Sequence, residues 1–164
     1  MKIKLLHAKI AAMKIRSIQS KDRQGCLKIA DCLNDWFSEE TLQEMAKKIL
    51  DYSTFVYEEK GDILGFITLR EVNSGVEEIV WIAVAKNYHR AGIGTKLLKY
   101  AENHLKSKQI LKVKTLDNTE DYKPYEISRA FYENNGFIKI TVIDPYPGWE
   151  LGNPCAIYIK PINW

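Results

Sequence analysis

Hydrophobic positions in this chain recur with two different spacings, and the switches between them mark its elements. "MKIRSIQ" (13–19) reads as a first strand. In "RQGCLKIADCLNDWF", Cys26, Ile29, Ala30 and Leu33 fall at helical spacing. Ser38 is placed as an N-cap ahead of Glu39 and Glu40, and Leu42, Met45, Ala46 and Ile49 form the apolar face of a second helix. The period then shortens. "STFVYEEKGDILGFITLREV" predicts an antiparallel hairpin about Lys60, Gly61 and Asp62, and "GVEEIVWIAVA" (75–85) adds a third strand to make a meander. After Gly92, the four-residue steps of Ile93, Leu97, Ala101 and Leu105 predict a helix of about four turns.

"ILKVKTL" (110–116) returns to a strand. "YEISRAFYENNGF" reads as a short helix ending at Asn135, with Gly136 free to adopt the left-handed closing conformation. Strands near 137–143 and 154–162 finish the chain around the Pro- and Gly-rich "DPYPGWELGN". The order β, α, α, β meander, α, β, α, β, β predicts a mixed α/β or α+β domain with helices on both faces of one sheet.

Composition narrows the setting. At 164 residues with 46% hydrophobic content, the chain is expected to form a single domain over 1–164, with residues 1–12 a candidate N-terminal extension. The 24 Lys and Arg and 21 Asp and Glu are spread along the chain, and a net charge of +3 predicts no nucleic-acid partner. No apolar run approaches the ~20 residues of a bilayer helix, and "MKIKLLHAKIAAMKIR" lacks a long apolar centre and a cleavage site. A soluble cytoplasmic protein without a membrane partner is expected. Cys26, Cys32 and Cys155 are odd in number and lack CxxC spacing, so neither a disulfide framework nor a metal site is predicted.

"NYHRAGIGTKLL" (87–98) carries the strongest chemical signal. A strand ends near Ala85, and Gly92 and Gly94 stand where the next helix begins. Unpaired amides and the positive end of the helix dipole favour an oxyanion there, and glycine lets the backbone approach it. A dinucleotide fingerprint would need a small residue at Leu97, and a P-loop would need a GK[ST] ending, so both are set aside. Glycines that merely permit a tight turn are the structural alternative.

Taken with the downstream "SRAFYENNGF", the span from "VEEIVWIAV" through "HRAGIG" resembles the GCN5-related N-acetyltransferase (GNAT) superfamily. His89 stands where that family's loop usually has Arg or Gln. The resemblance implies a GNAT-like central, mostly antiparallel sheet of about seven strands, with strands 4 and 5 splayed and helices on both faces. It also implies acetyl-CoA as cofactor, its pyrophosphate on the amides of His89, Arg90, Ala91, Gly92, Ile93, Gly94 and Thr95. The pantetheine arm is expected to pair with the backbone of Ile82, Ala83 and Val84 as an added strand would.

The same resemblance assigns the chemistry. Tyr132 is placed at the cofactor sulfur as donor to the leaving thiolate, and Val84 N–H at the carbonyl oxygen. Glu78, on the strand face opposite to Glu77, falls where the family's histone acetyltransferases carry a glutamate base; Asp117 or water are the alternatives. Lys112 and Lys114 stand where members acting on protein N-termini carry a glutamate, which argues against that acceptor. Trp36, Phe37, Tyr146 and Trp149 are candidates to line the acceptor pocket, with Tyr125 and Arg129 at its mouth or at the adenine end. The expected function is acetyl transfer to a primary amine of a small molecule or peptide by a monomer or homodimer. The alternative is a CoA-binding sensor of the same fold without turnover.

Overall fold

The structure is a computed structural model and describes residues 13–117 and 122–163, so the candidate extension 1–12 lies outside the described residues. Seven strands are hydrogen-bonded in the order β1-β2-β3-β4-β5-β7-β6. They are β1 (Met13–Ser17), β2 (Ser53–Glu59), β3 (Asp62–Asn73), β4 (Val76–Val84), β5 (Ile110–Leu116), β6 (Ile138–Ile143) and β7 (Cys155–Pro161). The helices are α1 (Arg23–Asp31), α2 (Glu39–Lys48), α3 (Ile93–His104) and α4 (Lys123–Asn134). The described residues form two compact units, one of 13–69 with 81–104 and one of 70–80 with 105–117 and 122–163.

In the first unit the hairpin forms where its residues allow. Lys60 at φ 52° and Gly61 at φ 89° make the two-residue turn that joins β2 to β3, a conformation suited to the twist of paired strands. β1 and β3 flank β2 antiparallel, with a register shift between Tyr57 and Glu58. Ser38 Oγ accepts from Thr41 N at 3.2 Å and so caps α2 as its position predicts. α1 stops at Asp31, short of the run that ends at Phe37; Leu33 accepts from Trp36 and Phe37 in a turn instead.

The helices of this unit lie on both faces of its strands. Thr54 Oγ1 donates to Ile49 O at 2.8 Å, so the end of α2 lies on the face of Thr54, Val56 and Phe66. Phe55 packs edge-on against Tyr100 of α3 at 5.2 Å on the other face. Phe66, Ile67, Leu97 and Met45 are completely buried, each contributing roughly 1.5–3 kcal/mol in apolar transfer.

In the second unit β4 runs parallel to β5 over Val76–Ile79 and Ile110–Val113, and the register ends there. The strands' later residues lie beyond this ladder, as expected for splayed strands 4 and 5. β7 pairs antiparallel with β5 and β6. Tyr158 of β7 opposes Val113 and reaches α4, donating to Glu133 Oε1 at 2.9 Å, so α4 covers the Val113 face. Lys112 and Lys114 alternate with Val113 and take the other face. α4 ends at Asn134 and Gly136 adopts φ +88°.

Candidate active site

The start of α3 is built to present backbone donors. A short turn over Lys86–Tyr88 follows β4, then Arg90 at φ 64° and Gly92 at φ 80° turn the chain into the helix. Lys96 N donates to Gly92 O at 3.0 Å, which opens the helical ladder and leaves Ile93, Gly94 and Thr95 in the first turn, where amides have no partner within the helix. A Cβ added at Gly92 would meet nothing within 4 Å. An open approach, a left-handed glycine and a row of helix N-terminal amides fit a pyrophosphate.

The loop residues do not contribute equally. His89 N donates to Lys86 O at 3.3 Å and Ala91 N to Tyr88 O at 3.4 Å, so those two amides serve the turn. The His89 ring lies with Nε2 2.7 Å from Val84 O and edge-on to Trp36 at 6.4 Å. Because that oxygen only accepts, Nε2 carries the proton. The side chain expected near a phosphate thus closes the loop onto the end of β4, and the bonds of the turn do not take up the amides of Arg90, Gly92, Ile93, Gly94 and Thr95.

Backbone direction also divides the β4 triplet. Ala85 N donates to Leu64 O of β3 at 2.8 Å. Successive residues of a strand aim their peptide groups at opposite edges, so Ala83 faces β3 as well while Ile82 and Val84 face the other edge. Of the expected triplet, Ile82 and Val84 thus turn their backbone groups away from β3, and Ala83 turns its own toward it. Gly65, which sequence reasoning passed over, makes this arrangement possible. A Cβ there would stand 3.0 Å from Ala83 O and 3.2 Å from both Ile93 Cγ2 and Leu97 Cδ1, so α3 seats on β3 through its bare backbone. A lone glycine inside the strand pattern "ILGFITL" was the available signal.

In the second unit Tyr132 is 7% exposed, its ring set among Phe131, Phe137 and Tyr158 at centroid distances of 5.4, 5.5 and 6.4 Å. Burial, with a smaller contribution from Tyr125, pushes its hydroxyl well above the usual phenol range, so it stays protonated and able to donate. Glu133 and Arg129 pin the same helix, Arg129 Nη1 donating to Leu116 O at 2.8 Å. Burial likewise raises Tyr125.

Glu78 faces away from α4. Its side chain is only 2% exposed and lies 2.5 Å from Arg70 Nη2, 3.2 Å from Lys114 Nζ and 3.8 Å from Lys112 Nζ. Its Oε1 is fully buried and faces the two ammonium groups. Burial works to raise its pKa, but the Arg70 hydrogen bond and the two lysines outweigh burial and hold the carboxyl below its ordinary range. A closed, strongly anionic carboxylate of this kind fits poorly as a direct acceptor of the amine proton, for which a base near neutrality is best. Glu78, the expected base, thus stands in surroundings that favour its anion. Asp117 is buried and bonded to Lys139 Nζ at 3.0 Å. The Tyr146 and Trp149 rings meet at a 58° tilt with centroids 5.4 Å apart, and Lys114 Nζ lies 3.4 Å from Tyr146 Oη.

Comparison with known proteins accords with this geometry. Residues 51–139 match the acetyltransferase (GNAT) domain family, and the chain belongs to it. Acetyl-CoA is the donor that acetyltransferases of this family use. S-(2-succino)cysteine N-acetyltransferase of Bacillus subtilis (strain 168) is 34% identical over 105 residues, covering 60% of this chain and 62% of that relative, so the match spans less than two thirds of its length. A GNAT-family acetyltransferase structure from Desulfovibrio desulfuricans superposes with a TM-score of 0.80 at 21% identity, over 92% of this chain and 99% of that one. An aminoglycoside 6'-N-acetyltransferase complexed with coenzyme A gives 0.71 at 16% identity, over 91% and 97%. Among the described residues, no helix is long and apolar enough to cross a membrane.

Proposed function

We propose that this chain transfers the acetyl group of acetyl-CoA to the primary amine of a small molecule or peptide, by direct attack of the amine on the thioester. The start of α3 carries the reading: Gly92 at φ 80°, with open space before it, precedes the first-turn amides of Ile93, Gly94 and Thr95. Bound acetyl-CoA supplies an acyl carbonyl activated by its thiol leaving group. The α3 amides hold the pyrophosphate, and Ile82 and Val84 pair with the pantetheine arm through their backbone. Val84 N–H donates to the acyl oxygen as charge builds on it. Tyr132 would serve as the donor to the sulfur of the leaving thiol. The amine's proton passes to water. Glu78 fixes Lys112 and Lys114 in place as their common anion.

The name of the Bacillus subtilis relative supports a small-molecule acceptor over a protein N-terminus. Three free thiols, Cys26, Cys32 and Cys155, support a cytoplasmic setting. Thiol release from acetyl-CoA across a panel of amines tests the function; saturable, amine-dependent release is expected. Tight CoA binding with no release on any amine would instead favour a CoA-binding module without turnover. One observation supports that second reading: three cations surround Glu78, the carboxylate that sequence placed first as base, and its alternative Asp117 is bonded to Lys139.

A further inference from the structure

β6 stands at the edge of the sheet with β7 as its only neighbouring strand among the described residues. All six of its residues are exposed, and four of them are large and apolar: Ile138, Ile140, Val142 and Ile143, between 37% and 63% exposed. An edge with unpaired backbone groups and apolar side chains is a template for a further strand. Lysine on an edge strand tends to keep other chains away, but the Lys139 ammonium is held by Asp117 at 3.0 Å. β6 thus presents no unpaired charge that would recruit an acidic or basic partner.

The register with β7 shows what β6 matches instead. Residues directly opposite on paired strands share a face of the sheet. Ile138, Thr141 and Ile143 oppose Ile159, Ile157 and Cys155 and share one face; Lys139 and Val142 oppose Tyr158 and Ala156 on the other. Ile140 is the extra residue between them, a bulge that shifts the alternation by one. With that shift, an antiparallel copy of β6 centred between Ile140 and Thr141 sets Ile138 against Ile143 and Lys139 against Val142, both pairs on a common face. An unbulged strand centred there would pair opposite faces. A bulge can keep an edge from pairing, but this one sits at the symmetry axis, where the copy carries the same irregularity. The two lysines do not oppose each other in this register.

We propose that β6 is the docking surface for a second copy of this chain, the two strands pairing antiparallel about a two-fold axis so that the β5-β7-β6 strands of one copy continue into those of the other. Ile138 and Ile143 form an apolar cross-strand pair at each end. Six residues span only about 20 Å at the usual rise. The contact falls below the roughly 800 Å² per partner of stable complexes, so the dimer is expected to dissociate at micromolar concentration. The association goes beyond acetyl transfer and does not depend on it.

Sedimentation velocity of the full chain from about 1 to about 500 μM brackets such a dissociation constant, and a shift from one chain to two is expected across that range. Ile138→Lys and Ile143→Glu should each raise the constant roughly 3- to 30-fold, since both symmetric pairs lose their apolar match at once. Joining the two substitutions in one chain sets Lys against Glu at both ends and should return the constant to within about threefold of its original value. Within one strand the two positions lie roughly 16 Å apart, too far to pair, so rescue reports a contact between copies in this register. Both side chains are exposed, and far-UV dichroism checks that each variant is folded; should one single variant not fold, the other serves. Association unchanged in the single variants, or no rescue in the double variant, would overturn the assignment. A single chain at every concentration would give the edge to a partner other than this chain and overturn it equally.

Discussion

His89 Nε2 lies 2.7 Å from the carbonyl oxygen of Val84, joining the glycine loop to the end of β4. The bond occupies a Val84 acceptor on the edge open to an added chain and leaves Val84 N–H as the donor there. Removing it costs one exposed hydrogen bond of about 0.5–1.5 kcal/mol. His89→Ala should therefore weaken CoA roughly 2- to 10-fold by calorimetry. A loss beyond 100-fold would mean that the ring meets the phosphates directly.

Gly92 answers to both conformation and space. At φ 80° any L-residue is strained by roughly 1–2 kcal/mol, and a large side chain fills the approach to the α3 amides. Gly92→Trp is expected to abolish measurable CoA binding while far-UV dichroism stays that of the folded protein. Undiminished binding in a folded variant would remove the loop from the phosphate role.

Gly65 should be sensitive to a single methyl group. Its Cβ would press on Ala83 O, a backbone atom that cannot turn aside. Gly65→Ala is expected to cost about 1–3 kcal/mol by overpacking, read as a lower urea midpoint. Because the shift would move α3 against β4, CoA affinity should fall with it.

Tyr132, the proposed donor to the sulfur, has no side-chain hydrogen bond to lose among the described residues. Tyr132→Phe should lower kcat about 100-fold or more, the usual scale for an acid catalyst, while the CoA dissociation constant and Tm change little. Since its raised pKa keeps the phenol protonated, wild-type kcat should climb with amine deprotonation through pH 9.5 and show no downturn from this group. Wild-type turnover in the Phe variant would reject the donor role.

Glu78→Gln removes the anion from among three cations. Breaking such a pair costs about 3–5 kcal/mol when fully buried; the partly exposed cations reduce this, and a Tm drop on the order of 10 °C or less is expected. The folded pKa is depressed, so Glu78 contributes stability above its unfolded pKa and loses it as pH falls through the folded value. Wild-type Tm should decline below about pH 4–5, more steeply than that of the variant. The near-neutral limb of the rate profile should be the same in both; a shift of that limb to higher pH would restore Glu78 as the base.

Much of the fold was legible in the sequence because it depends on local rules. Strand alternation, helical spacing, the Ser38 cap, the Lys60–Gly61 turn and Gly136 each constrain a few neighbouring residues, and apart from the early end of α1 at Asp31 the structure places them as read. The left-handed glycine before α3 was legible by motif for the same reason. Alternation also put Glu78 and Glu77 on opposite faces.

What tertiary structure decided was who stands beside whom. Glu78 could be assigned a face but not a charge environment, because Arg70 arrives from β3 and Lys112 and Lys114 from β5. Ala83 and Val84 are indistinguishable as residues, yet the bond from Ala85 to Leu64 turns their peptide groups to opposite edges. His89 was read as a phosphate neighbour until its ring met the Val84 carbonyl. Spacing along a chain fixes direction within one element. Protonation, access and hydrogen-bond partners depend on groups brought from distant segments, and those only the packed strands and helices determine.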